Sequence, residues 1–287
     1  MLLQQLGIFN HGIQLDVLRE DLRHPFVSGN KWWKLKYNLE EAKRLKASCI
    51  VTFGGAYSNH LAATAAAGME HNIKTIGIVR GDKVENATLS FCKEQGMELH
   101  FVSRDMYRNK DISGFFFSGA YVIPEGGSNS EGVRGCSEML DGIGEKYDYV
   151  VCACGTGATL SGLILSSLPH QKLIGIPVLK GAEFLKDDIS NHLSSSGNTN
   201  KNWELALDYH CGGYGKINNE LVTFIRKMHE VYELPLDGIY TGKMMMALMD
   251  LLDKGFFNKG CKVLAVHTGG LQGNEGIKER FAIDLSK

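Results

Sequence analysis

Short apolar runs alternate with longer stretches of helical periodicity along most of the chain. The run SCIVTF (48–53) reads as a buried strand, and the small-residue stretch 58–72 as the helix that follows it. KTIGIVRG (74–81) is strand-like, 85–96 helical and MELHFVS (97–103) strand-like again. YVIPEGGS (121–128) closes that block, and 130–147 reads as a crossing helix. YDYVVCAC (147–154) is the next buried strand, followed by a glycine-rich turn and a helix over 158–168. A strand at 172–179, helical stretches near 181–193, 217–232 and 240–253, and the apolar run CKVLAV ending at His267-Thr268-Gly269-Gly270 complete the series. Strand–helix–strand repetition predicts an α/β protein with mostly parallel sheets and helices on both faces. The polar stretch 190–202 is expected to be a loop or insertion.

Composition narrows the class. The chain has 287 residues, 44% hydrophobic and 22% charged, as expected for one large or two medium globular domains. A formal net charge of −1 favours neither nucleic acid nor an anionic membrane as partner. The first residues, MLLQQLGIFNHG, lack the basic start and apolar run of a secretory leader, and no window approaches the ~18 apolar residues of a membrane span. The 7 cysteines form no dense, even pattern, and Cys152 and Cys154 read as same-face core residues of a strand, with no metal site expected. A cytoplasmic protein follows.

The chemistry concentrates in turns, because open α/β sheets bind ligands beyond the carboxyl ends of their strands. After the strand at 48–53 comes Gly54-Gly55-Ala56-Tyr57-Ser58-Asn59-His60. Its glycines let the backbone approach a ligand, and Ser58 or Asn59 can cap the next helix. By itself it is equally a tight turn with a cap. Gly155-Thr156-Gly157-Ala158-Thr159 opens a helix after a buried strand, where free N–H groups and the helix dipole suit a phosphate. No Lys-Ser/Thr follows these glycines, and Gly162 falls too late for a dinucleotide fingerprint, so a phosphate monoester is the better fit. The turn at Thr268 places a hydroxyl beside a ligand or simply ends a strand. The fourth place is Ser28-Gly29-Asn30-Lys31-Trp32-Trp33-Lys34, where Lys31 begins a helix. A lysine there is commonly a solvated surface group. Flanked by aromatics at a positive helix end, it is also a candidate for desolvation and use as a nucleophile.

Taken in order, Ser-Gly-Asn-Lys31-x-x-Lys34, Gly54-Gly-x-x-Ser58-Asn59-His60, the 155–159 turn, Tyr240-x-Gly242-Lys243 and His267-Thr-Gly-Gly270 resemble the 1-aminocyclopropane-1-carboxylate deaminase/D-cysteine desulfhydrase family. The resemblance spans about residues 15–275. It implies a tryptophan-synthase-β-like fold (fold type II) and pyridoxal 5'-phosphate as cofactor. It further implies Lys31 as the Schiff-base lysine, Lys34 near the phosphate, Asn59 at the phenolic oxygen and Thr268 at the pyridine nitrogen. The phosphate cup would be Gly155, Thr156, Gly157, Ala158 and Thr159. Lys31, Ser58, Tyr214 and Tyr240 would be catalytic, with Ser58 the rival of Lys31 for moving the α-carbon proton. Ser58, Asn59, His60, Tyr240 and Thr241 would meet the substrate.

The sequence also departs from the pattern. Relatives that act on the cyclopropane ring have Tyr-Glu-Gly-Lys where this chain has Tyr240-Thr241-Gly242-Lys243, and often a larger apolar residue where Thr268 stands. Trp32 and Trp33 are bulkier than usual between the paired lysines, and Ala56-Tyr57 precedes Ser58 where Gln or Ser is common. The expected activity is therefore β-elimination from D-cysteine, or a β-substituted D-alanine, to pyruvate, ammonia and sulfide. The alternatives are 1-aminocyclopropane-1-carboxylate deamination, racemisation or dehydration of serine-like substrates, and, in another class, a phosphate-ligand-binding protein without turnover. Chain order predicts a large cofactor-binding domain from 1–35 plus 148–287 and a small domain at 36–147, with a homodimer expected by analogy.

Overall fold

The computed structural model describes residues 2–110 and 117–286. Strands β1 (Leu3–Phe9) and β2 (Ile13–Arg19) form an antiparallel hairpin. Helix α1 (Asn30–Arg44) leads into β3 (Cys49–Gly55), α2 (Asn59–His71), β4 (Thr75–Arg80), α3 (Ala87–Glu94), β5 (Glu98–Val102), α4 (Arg104–Arg108) and β6 (Ala120–Ile123). The chain continues through α5 (Ser130–Ser137), β7 (Tyr149–Cys154), α6 (Ala158–Leu165), β8 (Lys172–Pro177), α7 (Leu185–Ser195) and β9 (Trp203–Leu205). It ends in α8 (Asn219–Tyr232), α9 (Thr241–Asp253), β10 (Lys262–His267) and α10 (Gly273–Phe281).

These strands build two sheets. The larger runs β1-β2-β10-β7-β8-β9, parallel except at its first pair, and the smaller runs β5-β4-β3-β6, parallel throughout. Successive side chains of a strand point to opposite faces, and both faces are covered. Along β7, Tyr149, Val151 and Ala153 pack with α8 and α9, whereas Val150, Cys152 and Cys154 pack with α5, α6 and α7. The same alternation in β3 sends Val51 and Phe53 toward α4, and Ile50 toward α1 and α2. This is the doubly covered, mostly parallel α/β architecture expected from the sequence. All seven cysteines are free thiols, and Cys152 and Cys154 lie in the core.

Four local expectations are corrected. The N-terminal hairpin was not foreseen: β1 is half exposed and carries no apolar alternation to announce it. The helix expected over 130–147 stops at Ser137, and the chain then turns, with Gly142 at φ 74°. The polar stretch expected as a loop at 190–202 begins inside α7, whose buried Ile189 and Leu193 lie one turn apart and hold it. Helix α10 was not expected at all. Among the described residues no helix is long and apolar enough to cross a membrane.

Close packing of α1, α5 and α6 decides where the functional turns meet. A Cβ on Gly135 of α5 would sit 1.8 Å from the Trp33 carbonyl oxygen of α1, and one on Gly162 of α6 would sit 2.6 Å from the Val133 carbonyl oxygen of α5. Only bare backbone allows these approaches. They bring the first turn of α1 beside the first turn of α6.

Candidate active site

Gly29 opens α1 with φ 65°, and a Cβ there would lie 1.9 Å from the Thr268 carbonyl oxygen. That contact is used: the Asn30 N–H donates to the same oxygen at 3.1 Å, docking α1 onto the turn after β10. Lys31 then extends from the first turn of α1, and its Nζ donates to Asn30 Oδ1 at 2.8 Å. Asn30 Nδ2 in turn donates to Thr159 Oγ1 in α6 at 2.9 Å. One asparagine therefore ties the Lys31 amine to the helix that follows the 155–157 turn.

The amine opens into a cleft that encloses about 600 Å³ when the open solvent at its mouth is counted in. Lys31, Lys34, Asn59, Gly155, Thr156, Tyr240 and Thr268 all border it. They come from the starts of α1, α2 and α9 and from the turns after β7 and β10, the carboxyl ends of the parallel strands.

Burial, and next the neighbouring Lys34 ammonium, lowers the Lys31 pKa from 10.5 to about 7. Lys34 is buried and also lowered by burial, and its Nζ donates to the Gly126 carbonyl at 2.9 Å. Burial, followed by the two lysines, keeps the His60 imidazole neutral well below its ordinary range. Burial drives the Tyr240 phenol upward, and Tyr214 adds to the effect, so both hydroxyls stay protonated at neutral pH. The two rings meet edge to face, centroids 6.0 Å apart, with the Tyr240 hydroxyl donating to that of Tyr214 at 3.4 Å.

Several expected residues stand outside the cleft. Thr241 is fully buried, with its hydroxyl bonded to Asp237 Oδ2 at 2.6 Å, so the structure does not bring it to the substrate's side. His60 is buried against Thr52, Nε2 to Oγ1 at 2.9 Å, and belongs to the packing of α2 on β3. Ser58 caps α2, its Oγ accepting from the Leu61 N–H at 3.3 Å, and does not border the cleft. Gly157, Ala158 and Thr159 support the turn from behind, while Gly155 and Thr156 face the space. Tyr214, 46% exposed, reaches the site through Tyr240.

Other residues were missed by the sequence reading. Asn30 was passed over as a spacer between Gly29 and Lys31. Asp237 is completely buried and accepts from the N–H groups of Ile239, Tyr240 and Thr241 at 2.8, 2.7 and 2.9 Å, fixing the start of α9. An aspartate a few residues before an apolar helix is a capping signal that could have found it. Gln272 and Gly270 border the cleft with no sequence mark beyond their closeness to Thr268.

Two features test the fit of pyridoxal phosphate. Among the described residues Asn59 Oδ1 and Gln272 Nε2 are buried without a hydrogen-bond partner, and both residues border the cleft, so each amide is left for a bound molecule to satisfy. At its other side the Gly155-Thr156 turn opens onto α6, whose first N–H groups have no partner within the helix and suit an anion. An aldehyde at Lys31, a phosphate at this turn and polar ring substituents at Asn59 and Thr268 match what these residues offer. They fit the group.

Residues 3–269 match the profile of the family described as pyridoxal-phosphate dependent enzyme. A Thermotoga maritima protein provisionally named 1-aminocyclopropane-1-carboxylate deaminase is 32% identical over 92% of this chain and 90% of its own length. A mitochondrial Arabidopsis thaliana protein named as a bifunctional D-cysteine desulfhydrase/1-aminocyclopropane-1-carboxylate deaminase is 29% identical over 92% of this chain and 74% of its own. A crystal structure described as an ACC deaminase homologue superimposes with a TM-score of 0.84 at 28% identity, covering 97% of this chain and 91% of the other.

Proposed function

The chain belongs to the 1-aminocyclopropane-1-carboxylate deaminase/D-cysteine desulfhydrase family of pyridoxal-phosphate dependent enzymes, and on that premise we propose that it eliminates the β-substituent of a small amino acid, D-cysteine or a β-substituted D-alanine. When bound, pyridoxal phosphate supplies a conjugated ring that draws electron density from the carbon bearing the amino group. The observation that carries the reading is the Lys31 amine, which borders one cleft with Gly155 and Thr156 and has a pKa lowered to about 7.

In this reading Lys31 holds the cofactor and moves the proton at the substrate's α-carbon. A group that titrates near neutral pH can both take up and return that proton. Gly155, Thr156 and the N–H groups opening α6 hold the phosphate, with Asn30 and Thr159 keeping that helix in register with Lys31. Asn59 orients the ring from one edge and the Thr268 hydroxyl meets its nitrogen at the other. Tyr240, steadied by Tyr214, faces the departing substituent as a protonated phenol. Ser58 is the weaker candidate for proton transfer, since its hydroxyl is engaged in capping α2.

Ring opening of 1-aminocyclopropane-1-carboxylate is the less supported reaction. Position 241 carries no carboxylate, its hydroxyl is committed to Asp237, and a hydroxyl stands at 268. A substrate panel scored for sulfide, pyruvate and 2-ketobutyrate tests the choice: sulfide with pyruvate from D-cysteine supports elimination, and 2-ketobutyrate from the cyclopropane substrate contradicts it. The partition of strands between the two sheets supports a division into a large domain, 1–35 with 148–287, and a small one, 36–147. Seven free thiols support a cytoplasmic setting.

A further inference from the structure

Lys243 is fully buried, one helical turn after Tyr240 on α9, and neither the fold nor the proposed chemistry has so far used it. Its Nζ donates to the His210 carbonyl at 2.9 Å and to the Gly213 carbonyl at 2.8 Å. Both acceptors are turn carbonyls. His210 O also receives the Gly213 N–H at 2.9 Å, and Gly213 O the Lys216 N–H at 3.2 Å, so the ammonium braces two consecutive turns. Tyr214 lies inside the second. The segment is irregular: Cys211, Gly212, Gly213 and Gly215 all have positive φ, at 50°, 89°, 119° and 64°, and no regular element covers 210–218. Beyond the two turns it is held by the Gly212 N–H donating to His210 Nδ1 at 3.0 Å and by Cys211 and Ile217 packing on the core. Burying an ammonium against neutral carbonyls is costly compared with an apolar side chain of the same length, so its presence calls for something an apolar residue could not supply.

We propose that Lys243 is a positioning residue, holding the Tyr214 segment against Tyr240 and thereby shaping the mouth of the cleft where substrate enters. Helix α9 thus presents Tyr240 from its first residues and, one turn on, clamps the loop that carries Tyr240's partner. Loss of the clamp frees a glycine-rich segment that has many other conformations open to it and lets Cys211 leave the left-handed φ it holds at a cost, and the Tyr214 hydroxyl is carried off that of Tyr240. The functional consequence rests on the reading of this cleft as the amino-acid site; the structural one does not.

Two measurements on the cofactor-loaded protein decide it. Amide exchange over 210–216 in Lys243→Met should rise at least about tenfold while α9 and β10 keep their protection. Steady-state kinetics with D-cysteine should show KM raised about tenfold, kcat within about threefold, and a Lys243→Met/Tyr214→Ala double variant no worse than the poorer single one, as expected for residues acting as one unit. Lys243→Arg, which keeps the charge and the donors, should restore most of the loss. Unchanged exchange over 210–216 would overturn the proposal, as would independent, additive effects of the two substitutions. Should the wild-type chain turn over no amino acid, the reading of the site fails on that result, and exchange alone then decides whether Lys243 holds the loop.

Discussion

Thr241 donates its hydroxyl hydrogen to Asp237 Oδ2 over 2.6 Å, and the Asp237 N–H returns a bond to Thr241 Oγ1 over 2.9 Å. The pair closes the start of α9 with no solvent in reach. A carboxylate at 241 would face Asp237 in that dry site, and two carboxylates so close do not both stay ionised. Thr241→Glu should therefore lower stability by about 3 kcal/mol, read by thermal unfolding, and should not raise D-cysteine cleavage. A gain in sulfide release at undiminished stability would place position 241 in contact with substrate.

Gly29 is set by two constraints at once, a left-handed φ of 65° and the Thr268 carbonyl where its Cβ would be. Gly29→Ala should cost at least about 2 kcal/mol and push α1 off the turn after β10, weakening cofactor uptake along with stability. Unchanged uptake and an unfolding midpoint equal to wild type would show that this docking is dispensable.

The lowered Lys31 pKa has a direct consequence for the cofactor-free protein. Only the neutral amine attacks an electrophile, so capture of Lys31 by a small amine-reactive electrophile such as an activated ester should rise through a midpoint near pH 7. Lys34 is the second cause of the shift, so Lys34→Met should move that midpoint upward. The folded state binds fewer protons than the unfolded chain between pH 7 and the ordinary lysine value of 10.5, so this group's contribution to stability grows as pH rises through that window. A capture midpoint near 10.5 would show the amine to be solvated.

The parallel strands were legible because a strand buried on both faces has to be an unbroken apolar run, as in VVCAC of β7 or VLAV of β10. The turns behind them were legible because close approach needs glycine. Residues whose role is set by tertiary partners were not. Asn30 matters through Thr159, 129 positions away, and no spacing announces that. Thr241 was misplaced for the same reason: the motif gives its neighbourhood, while Asp237 decides which way the hydroxyl points.

Lys31→Ala removes the amine without touching the core, since the backbone contact to Thr268 is made by Asn30. Turnover should fall at least about a thousandfold with circular dichroism unchanged, and retained activity would show that the amine has been assigned to the wrong lysine.

Borohydride reduction of the cofactor-loaded protein, followed by peptide mass analysis, tests the central claim most directly. The account predicts a yellow protein that bleaches on reduction and carries the cofactor's mass on the peptide containing Lys31. A protein that stays colourless with added pyridoxal phosphate, or an adduct on a lysine other than Lys31, would contradict it.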